Sequence, residues 1–198
     1  MNTLDEPVME TIKRDLERIW QKLKIVINPF VKIDNEEKRR EIRNWDLWGP
    51  FFFCLMLAIV LSTITNADDN TLLFETVFCI VWLGGAVIAI NGQLLGGTIS
   101  FFQSICLLGY CLFPLNMAAL INLFIGSFVH ILIKLIYVGF AFCWSTYSSV
   151  HFIKEMVPED RKELAMYPVF LFYLFLSWFL ILWGILRNTF DDIAYFNS

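Results

Sequence analysis

The chain has 198 residues, 58% of them hydrophobic and 17% charged, with a formal net charge of −4. Soluble domains run at about 45–50% apolar and about 25% charged residues, so this balance excludes an ordinary soluble enzyme or a basic nucleic-acid-binding module. Ten of the 15 Lys and Arg residues fall within residues 1–46; the remainder of the chain is a series of apolar runs that leaves no room for a separate soluble domain.

Residues 5–27 read as an amphipathic helix. Asp5 suits its cap and Pro7 its first turn. Apolar residues recur at Val8, Ile12, Leu16, Ile19, Leu23 and Val26, at helical spacing. Asn28 and Pro29 end it, and a mixed-charge stretch runs from Asp34 to Arg43. The first 46 residues lack the apolar core of a cleavable signal peptide, so the first span is expected to serve as its own insertion signal.

A spanning helix needs about 20 mostly apolar residues, and the sequence offers five such stretches. They cover about residues 48–65, 72–90, 99–120, 125–150 and 164–186. The connections are a polar turn at 66–70 with Asp68 and Asp69, a Gly-rich turn at 91–98, a short link near 120–125, and a polar loop at 151–163. Segments on the N-terminal side of the membrane hold ten, no and three basic residues. Outside the spans, the opposite side holds only Arg187. The positive-inside rule then places the N-terminus in the cytosol and the C-terminus across the membrane. The expected fold is all-α: a polytopic bundle of five transmembrane helices (47–187), preceded by a cytosolic region carrying the amphipathic helix (1–46) and followed by a luminal tail (188–198).

The five cysteines, Cys54, Cys79, Cys106, Cys111 and Cys143, all lie in apolar runs and form no CxxC pair. They read as free buried thiols, with acylation of Cys54 as the alternative. No catalytic motif, cofactor loop or metal-ligand spacing occurs, so no catalytic residue, cofactor or metal is expected.

Two motifs stand out as partner-binding candidates. Asp46-Leu47-Trp48-Gly49-Pro50 lies where the chain enters the membrane: Pro50 suits a first helical turn, Gly49 removes bulk, and Asp46 can accept from helix-start N–H groups. It reads either as an ordinary span entry or as a cytosolic docking epitope. Gly109-Tyr110-Cys111-Leu112-Phe113-Pro114 lies inside the third span, where Pro114 frees a carbonyl near Tyr110 that needs a partner in the bilayer. Gly92-x-x-x-Gly96 and Gly84-Gly85 permit close helix approach. His130 and Lys134 lie four residues apart in the fourth span. Intramembrane ionisable groups are functional candidates, but the expectation here is that Lys134 snorkels to the luminal interface.

Taken together, these motifs resemble the YIPF (Yip-domain) family of five-span membrane proteins of the early secretory pathway. The resemblance runs over about residues 3–180. It is carried by Thr3-Leu4-Asp5-Glu6-Pro7-Val8, the Trp45–Pro50 entry, Leu95-Gly96-Gly97, Ser100-Phe101-Phe102-Gln103-Ser104, Leu108-Gly109-Tyr110-Cys111 and Ala165-Met166-Tyr167-Pro168-Val169-Phe170-Leu171-Phe172-Tyr173, and is closest to one subgroup. The resemblance implies a Golgi or ER–Golgi location, a role in vesicle transport, and binding to Rab-type small GTPases, other YIPF proteins and membrane lipids. The leading expectation is a non-enzymatic membrane adaptor. The alternatives are a lipid scramblase or small channel built on Gln103, Tyr110, His130 and Lys134, and a membrane-shaping protein that wedges its N-terminal helix into one leaflet.

Overall fold

A computed structural model describes residues 8–27, 48–63, 67–97, 100–125, 130–154, 157 and 159–196. Every regular element among them is helical: α1 (Val8–Ile27), α2 (Trp48–Ser62), α3 (Ala67–Leu94), α4 (Phe101–Tyr110), α5 (Phe113–Ile125), α6 (Ile131–Lys154), a 3-10 turn (Glu159–Arg161) and α7 (Lys162–Phe196). The all-α membrane bundle expected from the sequence is the architecture found. Asp5, the 34–43 stretch, and Asp46 and Leu47 lie outside the described residues.

Four segments are long and apolar enough to cross a bilayer: Thr71–Leu94, Phe101–Phe124, Ile131–Ile153 and Lys162–Leu186. The chain is therefore a multi-pass membrane protein. Helix α2 is as apolar as these but has only 15 residues, about 22 Å at 1.5 Å per residue.

The segment Phe101–Phe124 sits at the centre of the bundle, far more enclosed than the other three. It is two helices, not one bent helix. The N–H groups of Cys111 and Leu112 turn back to the carbonyls of Leu107 and Gly109, and α5 restarts at Phe113. Pro114 then lies in the first turn of α5, where an N–H would have had no intrahelical acceptor.

The Gly-rich turn closes α3. Gly96 has φ +84°, Gly97 N–H donates to Gly92 O at 3.0 Å, and Gly96 N–H donates to Gln93 O at 3.0 Å. This is the Schellman pattern, which needs a left-handed residue at Gly96's position. A Cβ on Gly92 or on Gly96 would meet nothing within 4 Å. Their spacing therefore serves the turn and packs no neighbour, whereas a Cβ on Gly84 would meet the Phe172 ring at 2.5 Å. Ser100 opens α4 with a capping box in which its N–H donates to Gln103 Oε1 at 3.0 Å.

Candidate functional site

The two motifs singled out in the sequence meet in the folded chain. Gly49 and Pro50, in the first turn of α2, are buried against the end of α4. A Cβ on Gly49 would overlap the Tyr110 hydroxyl, and a Cβ on Gly109 would overlap Pro50 Cβ and fall 2.8 Å from its Cα. Each glycine thus receives the bulky residue beside the other. The junction is knitted further by Phe53, whose ring meets Tyr110 at 5.9 Å and Phe113 at 5.8 Å, both edge-on.

Exposure divides the candidate residues. Gly49, Pro50, Gly109 and Tyr110 are buried, Pro114 is half-buried, and Trp48 is 73% exposed. Cys54, one turn on from Pro50, is 5% exposed and packed in the core, so its thiol is closed to acylation in this conformation.

Helix α1 joins the same junction. Leu23 and Val26 are buried in the bundle core, and Lys22 Nζ stands 5.7 Å from the centre of the Tyr110 ring, a cation–π geometry. The Val26 carbonyl is one of the last four of its helix and has no intrahelical donor. It accepts from Ser148 Oγ at 3.0 Å and Trp144 Nε1 at 3.3 Å, both on α6.

Beneath the junction lies a polar core, of which the sequence motifs contain Tyr173 but not its partners. Tyr173 is fully buried; its hydroxyl donates to Leu108 O at 2.9 Å and accepts from Ser149 Oγ at 2.9 Å. This ties α7, α4 and α6 together. Asn116, also fully buried, donates from Nδ2 to Phe53 O at 3.2 Å and Leu112 O at 3.3 Å, which joins α5 to α2 just past the break. Where donors are scarce, as in a bilayer, such bonds fix which helices pair.

At the other end of the bundle, Lys134 departs from expectation. It is 2% exposed, and Nζ donates to the Gly184 carbonyl at 3.0 Å. The ammonium is held inside the bundle and does not reach out to the interface. The absent side chain of Gly184 makes room for Asn122, whose Nδ2 a Cβ there would strike at 2.5 Å, and Asn122 Oδ1 accepts from Tyr137 OH at 3.1 Å. His130 is exposed, and its Nδ1 accepts from Leu132 N–H at 3.4 Å, which covers the start of α6.

Each of the polar residues on which a transport path would rest has its own local setting. Gln103 closes a capping box at the start of α4, Tyr110 packs against Gly49, Lys134 faces Gly184, and His130 is exposed ahead of α6.

Comparison with known proteins matches residues 23–182 to the Yip1 domain. The chain is similar to Protein YIPF6 homolog of Dictyostelium discoideum, 49% identical over 91% of this chain and 95% of the relative. It is similar to Protein YIPF6 of Xenopus tropicalis, 41% identical over 91% and 78%. It is also similar to Protein YIP4b of Arabidopsis thaliana, 40% identical over 91% and 62%. No solved structure matches.

Proposed function

From the premise that this chain belongs to the Yip1 domain family, we propose that it is a non-enzymatic membrane adaptor in ER–Golgi transport. In this reading it resides in Golgi and ER–Golgi membranes. Its N-terminal region faces the cytosol, its C-terminus faces the lumen, and it binds Rab-type GTPases and other Yip-domain proteins.

The observation that carries the reading is the contrast at the membrane-entry motif. Gly49 and Pro50 are locked against Gly109 and Tyr110, while the adjoining Trp48 is left 73% exposed. A large aromatic held outward by a rigid base is the kind of anchor that dominates interface energetics. Asp46 and Leu47 precede it directly in the chain. The buried residues of the two motifs, with Pro114, act as its mounting.

The test is purification of the full chain from detergent with mass spectrometry of bound proteins, for the native chain and Trp48→Ala. A Rab-type GTPase and a second Yip-domain protein are expected with the native chain. The GTPase is expected to be lost from Trp48→Ala, whose melting temperature and location stay unchanged. If neither partner is recovered with the native chain, the adaptor reading fails.

A further inference from the structure

Helix α1 buries only part of its apolar surface. Leu23 and Val26 go into the bundle and Ile19 packs against it, while Leu16, Trp20 and Ile27 are 60%, 54% and 39% exposed. At 100° per residue the three exposed residues fall within an arc of about 40°, directly beside the buried edge. The next part of the circumference carries Lys13 and Lys24, both exposed, and Lys24 Nζ stands 5.8 Å from the centre of the Trp20 ring. Glu17 and Glu10 come further round.

The place where α1 docks says what lies against this edge. Ser148, which holds the Val26 carbonyl, is six residues short of the end of α6 (Ile131–Lys154), about 9 Å down that helix. It lies inside the segment of α6 long and apolar enough to span the bilayer. Helix α1 therefore rests on the flank of the bundle, below its end. A helix in the angle between a bundle wall and a leaflet must be apolar over a wider arc than either surface alone requires, with one edge for protein and the next for lipid. Long cationic side chains then lead from the apolar edge to the headgroups.

We infer that the Leu16–Trp20–Ile27 edge of α1 is seated in the lipid of the adjoining leaflet, with Lys13 and Lys24 on anionic headgroups, so that α1 is a lipid-reading element clamped to the bundle. The inference stands independently of the trafficking reading.

The experiment places a photo-crosslinking benzophenone amino acid at Leu16 or at Arg14, which lies on the far side of the helix, in the full chain. The protein is reconstituted in nanodiscs of phosphatidylcholine, or of phosphatidylcholine with phosphatidylserine. Position 16 is expected to capture phospholipid at a yield several-fold above position 14, and more when phosphatidylserine is present. Lys13→Glu with Lys24→Glu is expected to abolish the phosphatidylserine gain and leave the phosphatidylcholine yield. These side chains are exposed, so the fold is retained. Equal lipid yields at 14 and 16, or capture of a second copy of the chain at position 16, overturns the inference. A phosphatidylserine gain that survives the double charge reversal overturns the assignment of Lys13 and Lys24.

Discussion

Pro50 sits in the space that a side chain on Gly109 would need: a methyl group there would overlap Pro50 Cβ and lie 2.8 Å from its Cα. The nearest atoms belong to a ring and a backbone, which have no rotamer to give way. Overpacking of this kind costs about 1–3 kcal/mol or more. Gly109→Ala is therefore expected to lower the melting temperature in detergent clearly. Gly184→Ala should cost less, because the clashing Asn122 Nδ2 is the end of a flexible side chain. Gly92→Ala meets open space and should be neutral or stabilising by about 0.5–1 kcal/mol through helix propensity. A thermal-shift series on the three variants checks this order.

The Ser149–Tyr173–Leu108 relay gives a second expectation. Tyr173→Phe removes the hydroxyl that donates to the Leu108 carbonyl and accepts from Ser149, both buried. Leaving buried polar groups unpaired costs about 1–3 kcal/mol. Ser149→Ala removes one bond and leaves the Tyr173–Leu108 bond. Because the two side chains bond each other, the double variant should lose less than the sum of the singles. A double-mutant cycle of detergent unfolding measures the coupling, and additivity would show that the relay does not act as a unit.

Much of this fold is legible in the sequence, and the limits have physical causes. Apolar runs long enough for a bilayer locate α3, α6 and α7, and Gly96 marks the turn after α3 because a left-handed residue leaves a local signature. The two motifs are visible separately, but their contact is not. Gly49 and Tyr110 are 61 positions apart, and only the shared pattern of a glycine beside a bulky residue hints that they interlock. Tyr173 closes one of the family-like motifs, but Ser149 and Asn116 escape notice because an isolated polar residue does not disturb a hydropathy pattern. Lys134 turns inward against expectation because a lysine near a helix end looks the same in sequence whether it snorkels or not. Gly184, whose carbonyl accepts from it, lies 50 positions away on another helix.

Lys134 yields a prediction that separates a structural cation from a transport site. Taking a charge out of water costs several kcal/mol per ion, a cost that an apolar residue of similar volume does not carry. Lys134→Met should therefore keep or raise the melting temperature. Lys134→Glu should be severely destabilised, since a carboxylate would then face the Gly184 carbonyl that now accepts from Nζ at 3.0 Å. Lipid and ion flux in liposomes should be absent from the native protein and from Lys134→Met alike. Flux in the native protein that vanishes in Lys134→Met would favour the scramblase or channel reading over the adaptor.

The number of crossings turns on α2, and it has a two-ended readout. Four other segments can each cross the bilayer; an even number would leave both termini on one side, and a fifth crossing puts them on opposite sides. At about 22 Å, α2 is shorter than the roughly 30 Å hydrocarbon core, but a short helix can be matched by local thinning of the bilayer. Its contacts favour a crossing. Asn91 near the end of α3 donates from Nδ2 to Leu164 O at 3.4 Å, which places the start of α7 on the same side as the end of α3. Trp183 lies 19 residues further along α7, about 28 Å away at 1.5 Å per residue, and its Nε1 donates to Leu61 O in the last turn of α2. The C-terminal end of α2 therefore reaches the far side, while its first turn begins at the Gly109–Tyr110 junction beside α1. With ten of the 15 basic residues in residues 1–46, the N-terminus is expected in the cytosol and the C-terminus in the lumen. Tags at both ends, digested in intact and permeabilised vesicles, check this. The N-terminal tag should be lost without detergent and the C-terminal tag only with it. Loss of both tags from intact vesicles would mean that α2 enters and returns on one side, and four crossings would stand.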